Sequence, residues 1–243
     1  MSRSLRRVEL TPGYMLHHRP WRDTSRIIEV LTREHGRLTL FARGVRGPAA
    51  RLAAVLQPFR PLLISWSGRG EAPQLTHAER ADNCGALPPE CVLAAFYVNE
   101  LLLKLTTRHD PLPALFDHYH ATLSGLREGQ PLEPLLRVFE KRLLELLGYG
   151  LELAAEARSG APLEPHGYYQ FRPTQGLVRA GAGTAGALAG ESLIGLREER
   201  FGGTRALEDA RRLLHAALAA CLEGRPLATR AVARSMVRKA AQS

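Results

Sequence analysis

The sequence contains few cysteines and no cysteine pair suited to a metal. Its three cysteines, Cys84, Cys91 and Cys221, form no Cys-x-x-Cys motif. Three thiols cannot complete a four-ligand zinc site without histidine, and His109, His118 and His120 lie some distance along the chain from Cys91. We therefore expect no metal site, and we expect reduced, partly buried thiols.

Long apolar runs are also missing. No run reaches the ~18–20 residues that a membrane-spanning helix needs, so we expect no membrane span. Residues 1–7 are basic, but the apolar core of a secretory signal does not follow them. These absences lead us to expect a cytoplasmic protein.

The usual sequence motifs of catalysis do not occur. There is no P-loop, no His-Glu-x-x-His and no Gly-x-Ser-x-Gly. His17 and His18 are adjacent in a predicted strand, where successive side chains face opposite ways, so they make a poor shared metal site. The acidic residues are too dispersed for a two-metal nuclease. We therefore expect a protein that is not an enzyme and needs no cofactor.

The first 80 residues, by contrast, are strongly basic. They contain 14 arginines and 6 acidic residues, whereas residues 81–243 contain 19 basic and 18 acidic ones, so most of the net charge of +9 lies in the first third. Only three of the 33 basic residues are lysines, and codon usage in a GC-rich genome is one explanation for that preference. Codon usage does not explain the position of the charge, which indicates a polyanion partner.

A second basic feature lies near the C-terminus. No acidic residue follows Arg225, and Arg230, Arg234 and Arg238 are spaced four apart, which places them on one face of a helix. This stripe fits a nucleic-acid contact and a solubilising terminal helix equally well.

The pattern of residues 1–80 is typical of short strands. A turn at Thr11-Pro12-Gly13 separates two of them, and the alternation in Arg37–Arg43 places Phe41 on the same face as Arg37 and Arg43. The predicted strands are 5–10, 14–19, 26–32, 37–43, 61–67 and 72–78. About five of these six segments count as usable strands, which in this length predict a five-stranded Greek-key barrel, the OB-fold, over residues 1–80.

Helical spacing begins after Pro88 and Pro89. We predict a mainly α-helical bundle domain over residues 81–243, with an irregular Gly-rich insertion at about 149–204 that carries a hairpin of 168–172 and 176–179. The predicted helices are 90–108, 112–126, 135–147, 204–222 and 227–239. The fold class is therefore α+β, with an OB-fold barrel followed by a helical bundle.

The basic strands predict a groove that follows phosphates. OB-folds bind single strands with basic grooves and stacking aromatic side chains. Trp21, Phe59 and Trp66 are stacking candidates beside Phe41, although each of these aromatic residues is more often part of a core. We expect the groove to be lined by Arg22, Arg26, Arg37, Phe41, Arg43, Arg46, Arg51 and Arg69.

An ordered series of segments along the chain resembles the bacterial RecO family. The order is more specific than any single segment, and the resemblance is weakest over residues 151–204. The series includes His18-Arg19-Pro20-Trp21, Ala42-Arg43-Gly44-Val45-Arg46, Leu56-Gln57-Pro58-Phe59, Asn99-Glu100-Leu101-Leu102, Leu147-Gly148-Tyr149-Gly150 and Pro226-Leu227-Ala228-Thr229-Arg230.

The resemblance implies a DNA-binding recombination mediator associated with the nucleoid. Such a protein binds single- and double-stranded DNA, anneals complementary strands and, with RecR, helps to load RecA onto strands coated with single-strand-binding protein (SSB). Some relatives carry a four-cysteine zinc site after the Leu-Gly-Tyr segment. Residues 151–160 contain no cysteine here, so this chain resembles the metal-free branch.

The resemblance also implies a site on the helical domain for the acidic, apolar C-terminal tail of SSB. A tail of that kind needs a cation for its carboxylate, and Arg137 is our candidate, with Lys141 and Arg142 nearby. An ordinary ion pair at Arg137 is the alternative. For the chain as a whole, an RNA-binding OB-fold module and a non-catalytic interaction scaffold remain open.

Overall fold

The computed structural model describes residues 6–45 and 51–240 of the chain. None of the helices in these ranges has the length and apolarity needed to cross a membrane. In chain order the elements are β1 (Arg6–Trp21), β2 (Ser25–Thr32), β3 (Gly36–Ala42), α1 (Arg51–Val55), β4 (Pro61–Gly68), β5 (Gln74–Arg80), α2 (Val92–Leu105), α3 (Pro113–Arg127), α4 (Leu132–Leu146), β6 (Tyr168–Arg172), β7 (Gly176–Ala180), β8 (Leu188–Ala189), α5 (Gly190–Arg197), α6 (Thr204–Cys221) and α7 (Ala228–Ala240).

The first five strands form a closed barrel in the order β1-β2-β3-β5-β4. Neighbouring strands are antiparallel, except that β3 meets β5 in a parallel bridge between Phe41 and Gln74. The predicted α+β fold class, a five-stranded barrel followed by helices, is confirmed.

The barrel interior is built from alternate apolar residues of the strands. β3 shows this most clearly, because Leu38, Leu40 and Ala42 are buried while the residues between them are partly exposed. Each buried branched side chain of this kind stabilises the fold by roughly 1.5–3 kcal/mol. The interior cluster also contains Met15, Ile28, Val30, Val45, Leu56, Leu62, Ile64, Trp66, Leu75 and Ala78.

β1 differs from the prediction. The turn predicted at Thr11-Pro12-Gly13 is wrong, because the chain continues as one strand of 16 residues. Its pairing with β4 shifts register between Val8 and Thr11, and Leu10 has a φ of 47°. A bulge of this kind bends a strand without ending it, so the first half pairs with β4 and the second half pairs with β2.

The chain packs as two compact units. The barrel unit consists of the described residues of Met1–Glu128 and Thr229–Ser243, and the helical unit is Gly129–Ala228. The predicted domain boundary at residue 80 coincides with the end of β5. The helices α2 and α3, which follow it, nevertheless pack with the barrel. Asn99 of α2 donates from its side-chain amide to the Leu16 carbonyl at 2.9 Å, and Tyr119 of α3 donates its hydroxyl to Asn99 at 2.7 Å.

The helical unit contains more regular structure than its glycine content indicates. The predicted hairpin is confirmed as β6 and β7, whereas β8 and α5 occupy residues predicted to be irregular. Gly190 opens α5, where a Cβ atom would lie 1.9 Å from the carbonyl oxygen of Glu164. Glycine is therefore needed at this position for a close backbone approach, which composition alone does not reveal.

Candidate nucleic-acid interface

The outer face of β3 carries an aromatic residue, Phe41, next to β2. Phe41 is partly exposed and pairs with Ile27 of β2, which in turn pairs with Arg19 of β1. The Arg43 guanidinium lies 5.6 Å from the centroid of the Phe41 ring. An arginine over an aromatic face at this distance is a cation–π contact. The alternation predicted for this strand therefore places Phe41 beside Arg43, as expected.

The β1–β2 hairpin extends this surface with basic residues and a second aromatic side chain. Trp21, at the end of β1, is 42% exposed. Arg22 lies in the turn. Arg26 is partly exposed and pairs with Pro20 and with the buried Ala42, so at this end of the barrel it lies on the register opposite to that of Ile27 and Phe41. We call Arg19, Trp21, Arg22, Arg26, Phe41 and Arg43 the arginine–aromatic edge.

The charge at this edge is positive. Burial lowers the pKa of His18 below 6.5, and the neighbouring Arg26 and His17 lower it further. Among the residues that the structure describes, Asp23 is the one acidic side chain within the β1–β2 hairpin turn. A single carboxylate does not compensate Arg19, Arg26 and Arg43, so the edge attracts anions.

Arg69 lies at the same end of the strands. It is exposed in the connection between β4 and β5. β5 begins at Gln74, which is bridged to Phe41, and the Phe41 amide donates to the Pro73 carbonyl at 2.9 Å. The loop that carries Arg69 therefore joins the barrel next to the arginine–aromatic edge.

Arg37 has a structural role that the sequence did not indicate. Its side chain is 10% exposed, and its guanidinium pairs with Glu29 at 2.8 Å. It also donates to the hydroxyl and the carbonyl oxygen of Thr106, at 3.0 and 2.7 Å. These contacts join β3 to the end of α2, and the predicted phosphate contact of Arg37 stays a prediction.

Glu29 is the centre of this cluster. It also accepts from Arg108 at 2.6 Å and from Thr39 at 2.6 Å. Burial raises the pKa of Glu29, but hydrogen bonds from Arg108, Thr39 and Arg37 outweigh burial, and the pKa lies below 4.5. Glu29 lies opposite Thr39 in the pairing of β2 with β3, and this register is not encoded by spacing along the chain.

Two predicted interface residues cannot be placed. Arg46 lies outside the described residues. Arg51 begins α1, but its side chain lies outside the described part of the chain.

Two other stacking candidates belong to the interior. Trp66 is 5% exposed and belongs to the barrel core, and Phe59 is 7% exposed. Stacking on a base needs an open ring face, so both candidates belong to the packing, which was already the more frequent role expected of such residues. Arg19 was missed, and its pairing with Ile27 beside Phe41 gives it a place at the edge.

Two of the three arginines in the basic stripe of α7 are exposed, and the third is engaged in contacts with α2. The Arg230 guanidinium donates to the Tyr97 hydroxyl at 2.9 Å and lies 5.4 Å from the centre of that ring. Thr229 donates to the Glu100 carboxylate from both its backbone amide and its hydroxyl, at 3.0 and 2.7 Å. Arg230 therefore anchors the helix, and its predicted contact with nucleic acid stays a prediction. Arg234 and Arg238 are exposed.

The cations predicted to bind an acidic tail are paired within the helical unit. Arg137 is 3% exposed and pairs at 3.1 Å with Glu140, which is fully buried. Lys141 and Arg142 both pair with Glu199, at 3.0 and 2.7 Å. Arg137 therefore forms an ion pair, which was the alternative to binding of an acidic tail. This pair is buried and does not lie at the surface.

The described residues contain no group of three or more His, Cys, Asp or Glu side chains that could hold a metal ion. The three cysteines are free, and burial raises the thiol pKa of each. Thiols of this kind are poor nucleophiles.

Comparisons with known proteins match both halves of the chain. The family described as Recombination protein O N terminal matches residues 7–83, and the family described as Recombination protein O C terminal matches residues 89–231. A DNA repair protein RecO from Methylococcus capsulatus is 44% identical over 229 residues, which cover 94% of each chain. Proteins of the same name from Nitrosococcus oceani (42% identical, 92% of each chain) and Coxiella burnetii (41%, 93% of this chain and 97% of that one) are also similar.

Proposed function

The chain belongs to the RecO family, whose members act in DNA repair and recombination, and from this premise we propose that it is a non-enzymatic recombination mediator. It binds single- and double-stranded DNA, anneals complementary strands and, with RecR, helps to load RecA onto SSB-coated strands. The observation that carries the DNA-binding proposal is the arginine–aromatic edge on the barrel.

The edge supplies the two contacts that a single strand needs. Arg19, Arg22, Arg26, Arg43 and the neighbouring Arg69 neutralise phosphates, and each neutralised phosphate releases condensed counterions. Trp21 and Phe41 offer ring faces to bases, which favours binding with little sequence preference because every base has a π face.

Annealing requires no bond chemistry. Two strands repel each other through their phosphates, and the edge reduces that repulsion while base pairing supplies the driving force. The exposed Arg234 and Arg238 of α7 provide a further contact for the phosphates of the duplex product.

The annealing proposal is tested with complementary oligonucleotides in the presence of the full chain. We expect Arg26→Glu combined with Arg43→Glu to slow protein-dependent annealing at least tenfold, because two attractive contacts become repulsive. The exposed Arg158 and Arg211 of the helical unit provide a matched double reversal that leaves annealing unchanged. Equal annealing by both double variants would contradict the proposal.

The alternative of an RNA-binding OB-fold module predicts RNA as the preferred ligand. The stacking surface described above does not discriminate DNA from RNA, since recognition of RNA as such uses the 2′-hydroxyl. Competition between matched DNA and RNA strands decides this point, and we expect DNA to bind at least as tightly. The interaction-scaffold reading predicts no strand binding near physiological salt.

The SSB tail remains a proposal for the helical unit. Its carboxylates would compete with Glu140 and Glu199 for Arg137, Lys141 and Arg142. Arg142 is half exposed, and the buried Arg137 keeps an Nε donor with no hydrogen-bond partner among the described residues. Equal affinity of a labelled tail peptide for the wild type and for Arg137→Ala would remove Arg137 from the site.

A further inference from the structure

A cavity of about 220 Å³ lies in the barrel unit, between the segment that follows α1 and the segment that precedes α2. We call it the Arg127 pocket. Pro58, Phe59, Leu87 and Val92 form the apolar part of its wall, and no described residue of the arginine–aromatic edge lines it. Its volume lies below the roughly 300–1,000 Å³ of sites for drug-sized ligands, so the pocket suits a single ring system.

Two guanidinium groups in the wall are held by backbone carbonyl groups. Arg127 donates to the carbonyl oxygen of Phe59, and Arg60 donates to that of Cys84 at 3.0 Å. Within the described part of the chain neither arginine forms an ion pair, and the buried Nε of Arg127 has no hydrogen-bond partner. A buried donor without an acceptor is costly, so a ligand that supplies an acceptor there is favoured.

One side of the pocket is a segment of irregular backbone. Gly85, Ala86 and Leu87 belong to neither a helix nor a strand, and their peptide groups form no hydrogen bond with other described residues. The amide of Gln57, which can both donate and accept, lies in the same wall. The pocket therefore offers donors and acceptors together with apolar contacts, which is the combination that the edge and the faces of a nucleobase need.

The charge of the pocket is positive. The nearby acidic residue is Asp82, and burial raises its pKa, but hydrogen bonds from Cys84 and the charge of Arg127 lower it to below 3.8. Asp82 is therefore ionised at neutral pH. Because one carboxylate offsets one of the two arginines, a positive charge remains for the phosphate that accompanies a base.

An aromatic ring lies next to the pocket. Phe59 packs edge-on against Phe96 of α2, with ring centroids 4.9 Å apart. Phe96 is 43% exposed although it is a large apolar side chain. An exposed ring face beside the pocket gives a neighbouring base a surface on which to stack.

The pocket is separated from the arginine–aromatic edge by the length of β4. Pro61 begins β4 directly after Arg60, and Ser67 pairs with Gln74, which is bridged to Phe41. At about 3.3 Å per residue, the six steps from Pro61 to Ser67 cover about 20 Å along the strand. One base cannot contact both places, so the pocket is a second site.

We propose that the Arg127 pocket receives one unstacked nucleobase of a bound single strand. This inference rests on the proposed binding of single strands at the arginine–aromatic edge. The base lies between the apolar wall and the guanidinium groups, and its edge accepts from Arg127 and bonds the peptide groups of Gly85, Ala86 and Leu87. A strand held at two places about 20 Å apart along β4 is extended, so the bases between them are open to a complementary strand.

An apolar side chain of a partner protein is the other occupant that the wall would accept. It would leave the buried Nε of Arg127 and the three peptide groups without partners, so the base is favoured.

The proposal is tested by ultraviolet crosslinking of the full chain to a short thymidine strand that carries 5-iododeoxyuridine, a base that couples to aromatic side chains in contact with it. Mass spectrometry locates the adducts. We expect one adduct at Phe59 or Phe96 and a separate adduct at Phe41 or Trp21, which reports the edge.

Leu87→Glu is expected to reduce the Phe59 or Phe96 adduct at least tenfold, because a carboxylate enters the pocket, and to retain the edge adduct. Leu87 is partly exposed, so the fold tolerates this substitution, and melting curves check it. Arg127→Gln is expected to reduce the same adduct at least fivefold. Leu135 of α4 is also partly exposed, and Leu135→Glu is the matched control with both adducts unchanged.

The adduct positions distinguish failure of the pocket from failure of the edge. An edge adduct without one at Phe59 or Phe96, or a Phe59 or Phe96 adduct of equal yield in wild type and Leu87→Glu, would overturn the pocket and leave the edge in place. No binding of the strand by the wild type would overturn both.

Discussion

Phe41 and Arg43 occupy an outer strand face where packing of the barrel does not require them. The interior of β3 is supplied by Leu38, Leu40 and Ala42, so removal of the Phe41 ring leaves the barrel core unchanged. The ring is kept in place by its contact with Arg43. This arrangement suits a ring that receives a base on its free face.

We expect Phe41→Ala to weaken binding of single-stranded DNA by about 1–3 kcal/mol, or roughly fivefold to 150-fold, because one stacked base is lost. Fluorescence anisotropy with a short oligonucleotide measures the change. Tyr149 of the helical unit is 56% exposed, and Tyr149→Ala serves as the control with unchanged affinity. A loss of less than twofold in Phe41→Ala would show that Phe41 does not stack.

Glu29 illustrates a different role for charge, which is to stabilise the barrel unit. Because its folded pKa lies below its unfolded value of 4.5, its contribution to stability is present above pH 4.5. The contribution is lost as the pH falls through the folded pKa. A carboxylate with three partners is also costly to remove, since buried donors are left without an acceptor.

We therefore expect Glu29→Gln to lower the free energy of unfolding at pH 7 by about 1–3 kcal/mol. The difference from wild type should shrink at acid pH, as the pH falls through the folded pKa of Glu29 and the wild-type carboxylate is itself protonated. Urea unfolding at neutral and at acid pH checks this, and the exposed Glu133 offers a control substitution, Glu133→Gln. A difference that stays constant across this range would contradict the ion-pair account.

At the scale of elements, α7 is a basic helix held at its first turn. Thr229 donates to Glu100, and Arg230 contacts Tyr97, while Arg234 and Arg238 are exposed further along. The anchored turn fixes the direction of the helix, and the exposed turns carry the available charge.

The charge of α7 is expected to act on duplex DNA. Arg234→Glu combined with Arg238→Glu should weaken duplex binding about tenfold or more and reduce its dependence on salt, because two phosphate contacts are lost. Arg230→Gln is predicted to lower thermal stability, because the contact of Arg230 with Tyr97 is lost. Gel-shift titration and melting curves separate the two effects, and a duplex affinity unaffected by the double reversal would favour a solubilising helix.

The sequence predicted the elements better than their ends and partners. Alternation over Arg37–Arg43 and helical spacing after Pro89 are local signals, so β3 and the major helices were found. β1 was divided in two because Pro12 and Gly13 are typical of turns, whereas a bulge near Leu10 keeps the strand continuous. The pairing of Arg37 with Glu29, and of Lys141 and Arg142 with Glu199, depends on register and tertiary contact, which spacing along the chain does not encode.

At the scale of the whole molecule, most of the excess positive charge lies in the segment that forms the barrel. The first 80 residues hold 14 arginines, and the structure gathers Arg19, Arg22, Arg26 and Arg43 at one edge beside Trp21 and Phe41. Arg37 is used to join the barrel to α2 and does not contribute to that edge. The proposed binding surface is therefore narrower than the charge of the segment implies.

The slope of log Kd for single-stranded DNA against log salt concentration tests the DNA-binding edge most directly. Each phosphate contact contributes about 0.7 to this slope for single strands, so we predict that Arg26→Gln combined with Arg43→Gln reduces it by about 1.4. The control Arg158→Gln with Arg211→Gln retains the wild-type slope. An equal slope for wild type and the Arg26/Arg43 variant would show that the arginine–aromatic edge does not contact the phosphates.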